Sequence, residues 1–178
     1  MFDLALFPTD LGWFGLMGDA DGVHKLVIGH PSETSARRAI ESFQTDRGDA
    51  DTLREIDWNA DLRRQLEGYA AGEPVDFDGC CIVFPRRTAF QTKVLDETRK
   101  IAFGETATYG ELADRVGSPR AARAVGTVMA SNRVPIIIPC HRVIASGGKL
   151  GGFSAPQGVD LKSRMLAFEA ESVGCTAS

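Results

Sequence analysis

Apolar and polar positions follow two different rhythms along this chain. Residues 4–7, 13–17 and 23–28 are short apolar stretches separated by breaks rich in Pro, Asp and Gly, which predicts three strands joined by turns. Residues 35–43 and 53–69 then have helix-compatible spacing, and residues 80–84 return to a strand-like run. His24 and His30 fall at strand ends or loops in this scheme. Phe84-Pro85-Arg86-Arg87 breaks the pattern, so the expected architecture is α/β with two domains, 1–85 and 86–178.

Beyond that junction the rhythm is helical. Thr88 with Gln91 and Thr108 with Glu111 have capping-box spacing, and Ser118-Pro119 offers an N-cap followed by proline at the first helical position. The third helix is expected to run from Ser118 to Ser131, separated from the second only by Val116-Gly117, which suggests a helix-turn-helix. On it Ala122, Val125 and Met129 form a core stripe, while Arg120, Arg123, Thr127 and Ala130 share the opposite face. Two arginines alone describe an ordinary solvated surface. The small residues Ala121, Ala122, Ala124 and Gly126 would also let the helix backbone come close to a partner. A last amphipathic helix starts near Leu161, and its stripe of Leu161, Met165 and Glu169 contains a carboxylate.

Charge sharpens this picture. The chain carries a formal charge of −4, which argues against a generic polyanion binder. Residues 86–149 reverse the sign, with eleven Lys or Arg against five Asp or Glu. The N-terminus has no basic region ahead of an apolar stretch, and no apolar run approaches the ~20 residues needed to span a bilayer. A cytoplasmic or nucleoid-associated protein is the expectation. The four cysteines, Cys80, Cys81, Cys140 and Cys175, include no C-x-x-C pair and no Cys/His grouping at metal-ligand spacing, so reduced thiols and no metal are expected.

Candidate chemistry concentrates in Ile136-Ile137-Ile138-Pro139-Cys140-His141-Arg142-Val143, where a thiol stands beside an imidazole at the end of an apolar, strand-like segment. A neighbouring imidazole that takes up the thiol proton is the commonest route to a nucleophilic cysteine. Taken alone, the dipeptide fits a buried, inert cysteine better. Successive strand side chains point to opposite faces, so Pro139 is expected to end the ladder and a kink or bridging water to link Cys140 with His141. Glu169, on an apolar stripe, needs a partner if buried, and a histidine is the natural one; the alternative is a stripe-edge carboxylate reaching solvent.

Read in order, Phe90-Gln91, Phe103-Gly104-Glu105-Thr106, Thr108-Tyr109-Gly110-Glu111-Leu112-Ala113, Ala121-Ala122-Arg123-Ala124-Val125-Gly126, Asn132, Pro139-Cys140-His141-Arg142-Val143, Gly151-Gly152-Phe153-Ser154 and residues 166–169 resemble the O6-alkylguanine-DNA alkyltransferases, also called methylated-DNA–protein-cysteine methyltransferases. The resemblance covers roughly half the chain. It implies a small ribonuclease H-like N-terminal domain of sheet plus helices and a winged helix-turn-helix-like C-terminal alkyltransferase domain. It also implies a monomer that binds double-stranded DNA in the minor groove and flips an O6-alkylguanine into a pocket, with no cofactor and one turnover per molecule.

Residue by residue, the resemblance makes Cys140 the alkyl acceptor, with His141 receiving its proton through water and Glu169 holding and charging His141. Tyr109 would reach guanine N3, Arg123 would replace the extruded nucleotide in the stack, and Arg120, Ala122 and Thr127 would share the DNA face. Asn132 would be a hinge between helix and active-site strand. The backbone of Val143 and Ser154 would read the base edge, with Phe153 in the pocket wall. Three positions depart from the family pattern: Arg133 replaces a usual proline, Ala155-Pro156 a common Gly-Gly, and Phe153 a frequent tyrosine. Some relatives bind zinc through N-terminal Cys and His, but no cysteine precedes Cys80 here, so no structural zinc is expected. A DNA-binding alkyltransferase-like protein without repair activity and a thiol redox sensor are the rival readings.

Overall fold

The computed structural model describes residues 1–47, 52–84 and 86–176. The chain forms two compact units, Met1–Val83 with Ala155–Gln157, and Phe84–Ser154 with Gly158–Ser178.

In the first unit the turn-separated apolar runs become an antiparallel meander, β1 (Phe2–Thr9), β2 (Gly12–Asp19) and β3 (Gly22–His30). A short β4 (Leu53–Glu55) adds in parallel to β1, giving the order β3-β2-β1-β4. Helix α1 (Glu33–Arg47) covers one face, where Phe2, Leu4, Met17, Val27, Ala36 and Ile40 form a buried cluster. The opposite face carries Phe7 and Phe14, whose ring centres lie 5.9 Å apart. Arg63 of α2 (Ala60–Ala70) reaches over it, 5.4 Å from the Phe7 ring centre. A sheet covered on both faces has no need of strict in–out alternation, and its strands read as near-continuous apolar runs.

Two expectations for this unit are corrected. Residues 53–69 are not one helix, because Leu53–Glu55 satisfies its backbone against β1, with the Phe2 N–H donating to Thr52 O and the Ile56 N–H to Leu4 O. The helix starts only at Ala60, where Asn59, in the left-handed region at φ 53°, accepts the Leu62 N–H. Residues 80–84 make a single bridge to Val23 through its N–H to Cys81 O and its carbonyl from Val83 N–H, too little for a strand. His24 and His30 lie buried on β3, where His24 meets Asp19 and His30 meets Ser35 Oγ.

The second unit is mainly helical: α3 (Ala89–Arg99), α4 (Tyr109–Arg115), α5 (Ala122–Ala130) and α6 (Gly158–Thr176), with a short parallel pair β5 (Ala107–Thr108) and β6 (Val143–Ile144). Helix α5 packs on α3 and α4 through its buried Val125, Val128 and Met129. Both capping boxes form, and the one at Thr108 fixes the entry to α4: Thr108 Oγ1 accepts the Glu111 N–H while Glu111 Oε2 accepts the Thr108 N–H.

The third expected start does not form. Gly117, at φ 73°, donates to Asp114 O and Ser118 donates to Ala113 O, which is the Schellman closure of α4. Ser118 O then accepts the Ala121 N–H across a turn containing Pro119, which puts Ser118 three residues ahead of Ala121, the residue at the N-cap of the next helix. Helix α5 therefore begins at Ala122 with no side-chain cap, and the connection is longer than Val116-Gly117. Arg120, Arg123, Thr127 and Ala130 are all exposed, while Ala122 is half-buried.

Thr108→Ala removes an N-cap whose loss costs about 1 kcal/mol. It is expected to lower unfolding stability by that amount in urea titration and to slow any reaction that depends on Tyr109, the first residue of the capped helix.

Candidate active site

Asn132 follows α5 and fastens the loop that carries the thiol. Its Oδ1 accepts the Val134 N–H at 3.2 Å and its Nδ2 donates to Ile138 O at 2.9 Å. Within the loop the Ile138 N–H bonds Val134 O at 3.0 Å and the Ile137 N–H bonds Pro135 O at 2.9 Å. The isoleucine run is thus a closed turn rather than the expected strand, with buried Ile136 at φ 73°. A β-branched residue there costs on the order of 1–3 kcal/mol and persists only where surroundings over-determine it.

Pro139, at φ −77° and ψ 62°, is the centre of an inverse γ-turn closed by the Cys140 N–H on Ile138 O at 2.7 Å. Cys140–Arg142 follows as one 3-10 turn, in which three consecutive side chains leave the axis in three directions. All three are buried. Beyond it β6 pairs with β5, with Val143 beside Ala107 and Ile144 beside Thr108, bringing this turn to the start of α4.

Helix α6 supplies the groups beneath. Glu169 is fully buried: Oε1 lies 2.7 Å from His141 Nε2 and 3.1 Å from Arg142 Nη2, while Oε2 accepts from Arg142 Nε at 2.9 Å and from the Gly104 N–H at 3.0 Å. Gly104 has φ 79°, a conformation that suits glycine. Arg142 Nη1 also donates to Ile101 O at 2.8 Å. Burial alone would raise the Glu169 carboxyl, but the hydrogen bonds and charges of His141 and Arg142 hold it at about 2. An ionised carboxylate only accepts, so His141 donates through Nε2–H and its Nδ1 is the basic nitrogen.

Burial pushes the His141 pKa down; Glu169 opposes this, but Arg142 and Lys162 reinforce it. Glu169 thus orients the imidazole and favours its charged form, while burial, the larger influence, favours the neutral one. Burial likewise raises the Cys140 thiol, opposed by the Asn132 hydrogen bond and the charge of Lys162. Lys162 is fully buried on α6, donates to Val143 O at 2.6 Å, and has its own pKa lowered by burial. Sequence reasoning missed Lys162 and the role of Arg142. The available signal was position: Lys162, Met165 and Glu169 recur at helical spacing on one stripe.

Tyr109 sits half-buried, and burial raises its phenol, with a smaller contribution in the same direction from the nearby Cys140. Gly126 of α5 faces its ring, and a Cβ on Gly151 would fall 2.3 Å from its hydroxyl oxygen. Ser154 Oγ donates to Ala130 O at 3.2 Å and Phe153 is half-buried; Thr127 turns its hydroxyl back onto Arg123 O. Among the described residues no cluster of three or more His, Cys, Asp or Glu is arranged for a metal, and no helix is long and apolar enough to cross a membrane.

A buried thiol and an oriented imidazole thus stand beside an exposed arginine-bearing helix. Residues 89–171 match the family model described as 6-O-methylguanine DNA methyltransferase, DNA binding domain. The chain is 36% identical over 165 residues to the methylated-DNA–protein-cysteine methyltransferase of Methanosarcina acetivorans, covering 93% of this chain and 96% of that protein. The protein of the same name from Mycobacterium tuberculosis H37Rv is 45% identical over 105 residues, 59% of this chain and 61% of its own length. Among solved structures, Mycobacterium tuberculosis OGT in complex with DNA superposes with a TM-score of 0.76 at 30% identity, over 95% of this chain and 93% of that one. The chain belongs to the 6-O-methylguanine-DNA methyltransferase family.

Glu169→Gln leaves the Arg142 cation buried against a neutral amide and is expected to cost about 3–5 kcal/mol. A carboxyl with a depressed folded pKa contributes stability that is fully present above its unfolded value near 4.5 and is lost as pH falls towards about 2. That contribution is about 3 kcal/mol. Urea unfolding of wild type should therefore weaken over this window and the variant should show a flatter acid limb; equal slopes would remove Glu169 as the acid-sensitive group.

Proposed function

We propose that this protein repairs O6-alkylated guanine in double-stranded DNA by moving the alkyl group onto the sulfur of Cys140, once per molecule. The observation that carries this reading is the Cys140–His141–Glu169 arrangement in a chain that matches methyltransferases along nearly its whole length. At rest the thiol is protonated and the imidazole neutral. When the flipped base fills the site, His141 Nδ1 takes the thiol proton through a bridging water, and the imidazolium that forms is balanced by Glu169.

The thiolate, favoured by the Asn132 hydrogen bond and the Lys162 charge, attacks the saturated alkyl carbon in line. The S–C bond forms as the C–O6 bond breaks, and its electron pair passes into the purine. Proton donation by the Tyr109 hydroxyl to guanine N3 makes the base a better leaving group, and the phenol is reprotonated at the expense of the imidazolium. One proton has left sulfur and one has reached guanine. Water does not displace a thioether sulfur at neutral pH, so the acceptor is not regenerated.

On this reading Arg123 enters the stack in place of the flipped nucleotide, Arg120, Ala122 and Thr127 line the DNA face, and Asn132, Val143, Phe153 and Ser154 line the pocket. The exposed, small-residue face of α5 supports an approach through the minor groove, which is only about 6 Å wide. The packed trio α3, α4 and α5 supports a winged helix-turn-helix-like domain over 86–178, and the two-faced sheet a ribonuclease H-like domain over 1–85. We assign the protein as a cytoplasmic or nucleoid-associated monomer with no cofactor.

Incubation with duplex DNA containing O6-methylguanine should add the mass of one methyl group to Cys140, read by intact-protein and peptide mass spectrometry. Cys140→Ala should abolish transfer and keep duplex binding; methyl appearing on another cysteine would sink the assignment. Arg123→Ala should slow repair in duplex DNA far more than reaction with the free alkylated base, since only the duplex demands extrusion. Equal slowing of both would contradict the intercalating role.

A further inference from the structure

The second unit holds a cavity of about 230 Å³ whose lining includes Asn132 but not Cys140. Buried Leu95 and Val128 are part of its apolar lining, and three arginines, Arg86, Arg87 and Arg133, are among its lining residues. Arg87 is held in place, its guanidinium carbon 3.7 Å from the Phe84 ring centre. Among the described lining residues there is no carboxylate; Asp96 is the acid that acts on Arg87 from α3.

We propose that this cavity receives a backbone phosphate of the DNA duplex, with the attached deoxyribose against the apolar lining. The inference rests on the repair reading above. Three arginines in one concave lining that has no carboxylate among its described residues suit an anion, and guanidinium is the side chain best matched to phosphate geometry. The position is right for a duplex lying along α5. Ser131, which lines the cavity, lies on the helical projection about 40° from Thr127, next to the DNA face. It stands about 12 Å along the helix axis from Arg123, equivalent to three or four base-pair steps at about 3.4 Å.

The cavity also shares Asn132 with the active-site loop, whose Nδ2 holds Ile138 O and whose side chain supports the Cys140 thiolate. A phosphate seated here therefore presses on the residue that positions the nucleophile. The site is a positioning device for duplex substrate, without direct contact with the reacting atoms.

The test compares wild type with the Arg86→Gln/Arg87→Gln double variant and, separately, Arg133→Gln, in case a change beside Asn132 disturbs the loop. Duplex affinity is measured over a range of salt concentrations, and methyl transfer is followed from both duplex DNA and the free O6-methylguanine base. Losing one phosphate contact should reduce the steepness of log K against log salt by about 0.9, weaken duplex binding, and leave the free-base rate of the double variant unchanged. An unaltered salt slope and affinity in both variants would overturn the proposal. So would loss of inorganic phosphate binding, measured by calorimetry, with the duplex slope intact, because the cavity would then be a free-anion site. A wild type that binds duplex and acquires no methyl, with variants still losing the slope, would overturn the repair reading and leave this one standing.

Discussion

Glu169, carried on α6, accepts hydrogen bonds from two segments that are far from it in sequence: the 3-10 turn through His141 and Arg142, and the loop after α3 through Gly104. A fully buried carboxylate is tolerable only when its charge and lone pairs are satisfied, and here Arg142 supplies the charge while four N–H groups fill the oxygens. That requirement is what fixes α6 against the turn bearing Cys140. It also sets the tautomer of His141, since the nitrogen facing Glu169 must carry the proton. The proposed chemistry takes up the thiol proton on the nitrogen left over.

The resulting resting state is electrically quiet. The same burial that raises the Cys140 thiol lowers the His141 imidazole, so it favours the neutral form of both. Lys162 and Asn132 do not abolish that burial penalty; they reduce the cost of forming the thiolate at the moment it is needed. A thiol guarded in this way reacts with what the pocket admits, and a freely ionised surface thiol would react with whatever diffuses past.

Much of this was legible in the sequence where local physics decides. The three β-strands announced themselves by apolar runs and turn residues, and both capping boxes by residue type and spacing alone. Glu169 stood out because a carboxylate on an apolar stripe is a contradiction that needs a partner. What could not be read depended on partners distant in sequence. Residues 53–55 look helical until β1 is present to take their hydrogen bonds, and Ser118 looks like a cap until the turn from Ser118 to Ala121 delays the start of α5. The isoleucine run has every strand propensity, yet the side chain of Asn132 bends it into a turn. Lys162 was overlooked because lysine is almost never fully buried, and nothing in its neighbours reveals the Val143 carbonyl that receives it.

The glycine pair at 151 and 152 carries two unequal constraints. Gly151 leaves no room for a single carbon beyond its backbone, because the Tyr109 hydroxyl occupies that place, whereas a Cβ on Gly152 would meet nothing within 4 Å. Adjacent identical letters therefore differ in what drift they permit. Over evolutionary time the second can wander among small residues with little consequence, while the first can change only in step with position 109, so that the two should vary together or not at all.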